Sequence, residues 1–202
     1  MTKKLPHLLL GFYLAEFLAL AVNPYSRDVW FAENLPMVLI VGALILTYRR
    51  FAFSNASYLC MSALVFLHTI GGHYTFERVP FGFVTDLFGF TRNHYDRIAH
   101  FSVGFYAYPI AEFIWRKGYS RSKGLLAFTG ITAIFTVAAV YEIIEWWYAA
   151  SADPEAGIAF LGSQGDVWDA QKDMLADGLG SICAAVAFLF HYKDPPGTQD
   201  AA

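Results

Sequence analysis

The chain has 202 residues, 56% of them hydrophobic and 18% aromatic, while charged residues make up only 15% against about 25% in ordinary soluble domains. Such a chain cannot cover itself with lysine, glutamate, arginine and aspartate, and its net charge of −3 carries no basic footprint. A soluble globular enzyme, a disordered chain and a nucleic-acid binder are therefore excluded. An integral membrane protein is left, and since strand-length alternation is absent, an all-α one.

Six apolar runs follow in chain order, each close to the roughly 20 residues that cross a bilayer. They predict one bundle of six transmembrane helices over residues 1–194, with a short disordered tail over 195–202. The first run covers about 6–22. Lys3-Lys4 before it and Ala19-Leu20-Ala21 near its end have the look of a signal peptide. Glu16 inside the run and the Asn23-Pro24 break after it favour a retained helix instead. The second run covers about 29–48 and closes at Arg49-Arg50; the third covers about 52–70. The fourth, fifth and sixth cover about 97–115, 124–148 and 171–192. Cys60 and Cys183 lie inside apolar runs without the C-x-x-C spacing of a metal or redox pair.

Lysine and arginine set the orientation. With the N-terminus inside, Lys3, Lys4, Arg49, Arg50, Arg116, Lys117, Arg121, Lys123 and Lys193 fall on the inner side, against Arg27, Arg78, Arg92, Arg97 and Lys172 outside. Both termini are thus expected in the cytoplasm, and the long loops after the third and fifth runs in the periplasm of a bacterial cell.

Most of the 17 acidic residues collect toward the outer side, together with His68, His73, His94 and His100. The positive-inside rule does not demand this, because Asp and Glu contribute little to topology. Four segments carry the cluster. In the first, His68-Thr-Ile-Gly-Gly-His73 leaves the third run, with a sharp turn expected at Gly71-Gly72 and His73 and Glu77 spaced i, i+4 if a short helix follows. The second, His94-Tyr-Asp96-Arg97-Ile-Ala-His100, puts Asp96 and His100 on one helix face. The third, Tyr141-Glu142-Ile-Ile-Glu145-Trp146-Trp147, places two carboxylates below interfacial tryptophans. The fourth carries Asp166, Asp169, Asp173 and Asp177, expected on one face of a helix and continued by Gly180, Ser181 and Ala184, which let another helix approach closely. An ionisable residue facing the interior of a membrane bundle is a functional hypothesis by default.

Repulsion among these carboxylates needs relief. A divalent metal ion would supply it, Zn, Mn or Fe suiting mixed imidazole and carboxylate ligands, Mg or Ca an all-oxygen site. The candidate metal ligands are His68, His73, His100, Glu142, Glu145, Asp169, Asp173 and Asp177; the candidate catalytic residues are His100, Asp173, Asp177, Glu145, Asp96 and His73. The alternative is a salt-bridge network in which Arg78, Arg92 and Arg97 pair with Asp96, Glu142 and Asp166. Glu112, isolated in the fourth run, is expected to snorkel toward Arg116, and Asp153-Pro154 to be a loop turn.

The strings HTIGGHYTFERVP, RNHYDRIAHFSVGF, YEIIEWW and GDVWDAQKDMLADGLG resemble, in order and wording, the YjdF-like bacterial inner-membrane proteins, over nearly the whole chain. More distantly, the second half is similar to the VanZ-like superfamily, whose pattern runs D-K/R-x-x-H, E-x-x-Q and D-x-x-x-N-x-x-G on successive helices. Asp96, Arg97 and His100 match its first element, Glu142 begins the second, and Asp173 and Gly180 match the third. Glu145 stands at the Gln position and Asp177 at the Asn position, so two neutral amides are replaced by acids. The resemblance implies fold and location rather than an activity.

These readings together suggest a small membrane enzyme acting at the outer leaflet on an envelope lipid or lipid-linked substrate. A water activated by the metal would attack, or a carboxylate would act as general base, with His100 or His73 in acid/base reserve. Membrane lipids are the expected partners, without nucleic acid; no oligomeric state is implied. The alternatives are a metal-ion or small-solute transporter and a non-catalytic structural or partner-binding membrane protein.

Overall fold

A computed structural model describes residues 4–192. The tail expected over 195–202, like Lys3 and Lys193 of the inner charge set, lies outside the described residues. Among the described residues the secondary structure is helical, without strands. Helices α1 (Leu5–Leu20), α2 (Arg27–Thr47) and α3 (Asn55–Tyr74) fall on the first three apolar runs. The fourth run is α5 (Tyr95–Val103), a 3-10 turn over Gly104–Tyr106, and α6 (Ala107–Arg116). The fifth is α7 (Lys123–Ser151) and the sixth α9 (Asp169–His191). By length and composition, α2, α7 and α9 are able to cross a membrane, and α1 is a shorter apolar helix.

Local chemistry accounts for the boundaries. Asn23, at φ 48°, turns the chain between α1 and α2, a backbone region that asparagine tolerates better than most residues. Ser26, Ser54 and Ser122 cap α2, α3 and α7 by accepting from the N–H groups of Val29, Ser57 and Leu125. The long loops each hold a short helix, α4 (Gly82–Phe88) and α8 (Pro154–Leu161). Asp153-Pro154 is therefore more than a loop turn. Asp153 accepts from the Glu155 N–H at 3.0 Å and Pro154 occupies the first turn of α8, where its missing N–H costs nothing.

Gly71-Gly72 is not the expected turn. Helix α3 runs through both and ends at Thr75, which adopts the left-handed conformation at φ 60°. The two glycines serve packing instead. A Cβ on Gly71 would lie 2.3 Å from the Phe76 ring, and one on Gly72 2.9 Å from Glu33 and Asn34. His73 consequently sits in the last turn of α3, while Glu77 lies in a 3-10 turn beyond the break. The pair does not share a helix face.

Helix α9 packs against α5, α6 and α7, while α3 packs against α1 and α2 on one side and α5 and α6 on the other. One apolar cluster joins α6, α7 and α9 through Tyr108, Leu126, Ile134 and Phe188. A second joins α1, α2 and α3 through Tyr13, Met37, Leu64 and Val65. The closest approach is backbone on backbone. A Cβ on Gly180 of α9 would lie 2.0 Å from the Phe101 carbonyl oxygen, and one on Gly104 2.3 Å from the Ser181 nitrogen. Only glycine permits this contact, and it presses the α5 residues Asp96 and His100 toward the aspartates of α9.

Candidate functional site

Three of the four aspartates lie on α9: Asp169, Asp173 and Asp177 are all buried. Asp166 precedes the helix, where its carboxylate accepts from the Trp168 N–H at 3.1 Å and pairs with Lys172 at 2.6 Å. The Lys172 ammonium, above all, holds the Asp166 carboxyl below its usual range.

Arg97 of α5 reaches across to α9 and donates to both Asp173 and Asp169. Arg92, in the loop before α5, donates to Asp169 at 2.7 Å and to the Ser163 carbonyl at 3.2 Å. The loop itself is tied down by a reciprocal pair, Asn93 N–H to Gln164 Oε1 and Gln164 Nε2 to the Asn93 carbonyl, each 2.9 Å. Beside it, burial first and then Arg92, Arg97 and Lys172 hold the His94 imidazole below its ordinary value of 6.5. The expected arginine pairing is thus present, but directed at Asp169 and Asp173 more than at Asp96, which Arg97 approaches only to 3.8 Å. Arg78 pairs with its neighbour Glu77 at 3.4 Å.

His100 stands among three carboxylates. Its Nδ1 lies 3.3 Å from the carboxylate of Asp177. Its Nε2 lies 3.6 Å from Asp96, one turn back on α5, and 3.7 Å from Asp173. A cavity of about 120 Å³ adjoins this centre, walled by His100, Asp96, Asp177, Glu145, Glu33, His68 and Tyr141 together with apolar groups such as Phe76, Val103 and Phe160. Glu33 of α2 is 2% exposed. It faces His68 Nε2 and accepts from the Tyr141 hydroxyl, both at 3.0 Å.

Most candidates from the sequence therefore converge. His100, Asp96, Asp177, Glu145 and His68 share the cavity wall, and Asp173 stands behind His100. Glu142 is within electrostatic reach of His100, Asp173 and Asp96 but does not line the cavity, and its Oε1 is buried without a hydrogen-bond partner among the described residues. Asp169 is taken up by Arg92 and Arg97. His73 is elsewhere: its Nδ1 lies 2.7 Å from the Leu20 carbonyl at the end of α1, a consequence of α3 continuing through Gly71-Gly72. Glu33 and Tyr141 were not among the candidates. The signal for Glu33 is an acid inside an apolar run; nothing in the sequence singles out Tyr141 as its donor.

Asp96, His100 and Asp173 each offer one ligand atom, all within 4.8 Å of one another. Ligands about 2.0–2.2 Å from a tetrahedral zinc ion are roughly 3.4 Å apart, close to the 3.6 and 3.7 Å separations at His100 Nε2. The donor set fits a divalent ion, with Arg97 competing for Asp173. The same imidazole, flanked on both nitrogens by carboxylates, is also able to take up and release a proton.

The family model described as Predicted membrane protein (DUF2238) matches residues 5–194. Inner membrane protein YjdF of Escherichia coli (strain K12) is 37% identical over 180 residues, covering 85% of this chain and 83% of that protein. No solved structure matches the chain. The matches bear out the YjdF-like resemblance and do not test the VanZ-like one. They and the apolar helices make this an integral protein of the inner membrane, and the chain belongs to the DUF2238 family of predicted membrane proteins.

Proposed function

We propose that the chain crosses the inner membrane six times with both termini in the cytoplasm. Its outer-end cavity holds a divalent cation at Asp96, His100 and Asp173 and acts on the polar part of an envelope lipid or lipid-linked substrate. One observation carries the reading: the cavity has more acid than its cations neutralise. Arg92, Arg97 and Lys172 are engaged by Asp166, Asp169 and Asp173. Glu33, Glu145 and Asp177 then have only His68 and His100 as basic partners among the described residues. Carboxylates crowded in a low dielectric require protons or a cation, and the spacing at His100 suits a cation. A bound divalent ion supplies Lewis acidity. Asp177 orients the His100 ring through Nδ1, and Glu145 stands on the wall where a substrate proton would be accepted.

Elemental analysis of the purified full chain tests the proposal. About one divalent ion per chain is expected, falling to background in His100→Ala with membrane insertion unchanged. Wild-type protein holding less than about 0.1 ion per chain after equilibration with Zn, Mn, Fe or Mg would sink the metal site.

The second reading is a structural network, favoured by the Arg92 and Arg97 clamp between α5 and α9. It is separated by Arg97→Gln. Under the metal reading this variant frees Asp173 and binds the ion more tightly; under the structural one it loses folded protein and gains no ion affinity.

A further inference from the structure

We propose that the opposite end of the bundle is a binding site for one anionic phospholipid. Its phosphate would be held by Lys117, Arg121 and Lys123, and one of its acyl chains would lie in the groove between α1, α2 and α3. This inference does not rest on the reading of the outer cavity.

Two adjoining hollows carry it. A cavity of about 420 Å³ sets Ser54, Asn55, Arg116 and His191 among aromatic walls and is the more polar of the two. An apolar groove of about 230 Å³ runs beside α1–α3 past Leu10, Leu44 and Val65. Pro6, Tyr48 and Tyr58 belong to both, so a mixed seat passes continuously into an almost wholly apolar one, as the headgroup end of a lipid passes into its chains. Along α1 the groove reaches from Pro6 to Tyr13, about 10 Å at 1.5 Å per residue.

Charge selects the headgroup. Lys117, Arg121 and Lys123 are exposed, and among the described residues none lies within ion-pair distance of a carboxylate. Two are poised over rings of the cavity wall, Arg121 5.6 Å from Trp115 and Lys123 5.7 Å from Tyr192, while Lys117 lies 5.6 Å from Phe51, next in sequence to the wall residue Ala52. The acid in the cavity wall, Glu112, does not oppose an anion strongly. Its oxygens accept from Ser54, Ser57 and Arg116. Basic pockets between membrane helices favour anionic headgroups in this way, and the apolar groove prefers a lipid to a soluble phosphate.

The test uses the full chain purified from nanodiscs holding equal amounts of phosphatidylglycerol and phosphatidylcholine, with the retained lipid identified by native mass spectrometry. Wild-type protein is expected to keep one lipid, enriched in phosphatidylglycerol. The Lys117→Gln, Arg121→Gln, Lys123→Gln triple variant changes only exposed charges between the body of α6 and the start of α7 and should lose roughly fivefold of that enrichment per charge. Leu44→Trp fills the groove and should abolish retention with the cations intact. Retained lipid of the same composition as the bilayer, in wild type and triple variant alike, would overturn the proposal. So would protection of the wild type from heat by inorganic phosphate as great as that by phosphatidylglycerol.

Discussion

Two buried acid sites in this bundle follow opposite rules. At the basic end, Glu112 is 3% exposed and alone, with each carboxylate oxygen supplied. The Ser54 N–H and the Arg116 guanidinium donate to Oε1, each at 2.8 Å. The Ser54 hydroxyl at 2.6 Å and the Ser57 hydroxyl donate to Oε2. The expected contact with Arg116 is made, but by a buried acid rather than a snorkelling one: Glu112 brings Arg116 to itself and ties α6 to the start of α3. At the other end, Glu145, Glu33, Asp96 and Asp177 surround a cavity with two imidazoles and a tyrosine hydroxyl among them. A satisfied buried acid holds helices together; a surplus of them around open space is costly to folding. Under the proposed function, such a surplus has its explanation in what the cavity binds.

The contrast is broken most directly at Glu112. Glu112→Ala strips four donors of their acceptor and unties α3 from α6. The expected loss is about 2–4 kcal/mol, toward the lower end because Arg116 is able to turn to water. Equilibrium unfolding in mixed micelles measures it. Any metal content at the His100 cavity should not change, since among the described residues no hydrogen bond or ion pair links Glu112 to its walls.

Glu145→Gln sharpens the contrast from the other side. The substitution removes a carboxyl group that no Arg or Lys pairs with among the described residues, so stability is expected to hold within about 1 kcal/mol or to rise. A loss as large as that at Glu112 would show that Glu145 is a structural acid after all, and the two ends would no longer differ in kind.

Much of this was legible along the chain, for identifiable reasons. The helices fall where the apolar runs fall because a helix must satisfy its own backbone in lipid, so run length and helix length coincide. Asp96 with His100, and Asp169, Asp173 and Asp177 among themselves, are local periodicities on single helices. Gly180 and Ser181 announced the close approach that joins the two sets. What stayed hidden depends on contacts between distant segments. Glu33 meets His68 and Tyr141 from three different helices. Gly71-Gly72 looks like a turn until Phe76, Glu33 and Asn34 are found in the space their side chains would fill. His73 is carried away from the cluster by that same continuation of α3. The break of the fourth run into α5, a 3-10 turn and α6 has no local signal beyond Gly104, which is needed there for the approach of α9. Asp153-Pro154, by contrast, held the capping aspartate and first-turn proline of α8 in plain view.

The smallest expected effect lies at the rim of the His100 cluster, in the loop before α5. Burial and three nearby cations hold the folded-state pKa of His94 below 6.5. As pH falls below 6.5 the unfolded chain takes up a proton at this position before the folded one does, so stability declines until the pH has passed below the folded-state value, and above 6.5 the residue contributes no slope. His94→Gln removes that contribution. The variant should unfold with a shallower dependence on pH on the acid side of 6.5 and match the wild type above it, in scans that compare midpoints at fixed detergent and salt. The sign separates this loop from the Asp166–Lys172 pair nearby, whose stabilisation is present above the ordinary aspartate range and is lost only as pH falls through it. An unchanged acid slope in His94→Gln would mean that neither burial nor the arginines which neutralise Asp169 and Asp173 depress the His94 imidazole in this loop. Their charge would then be spent entirely within the clamp between α5 and α9.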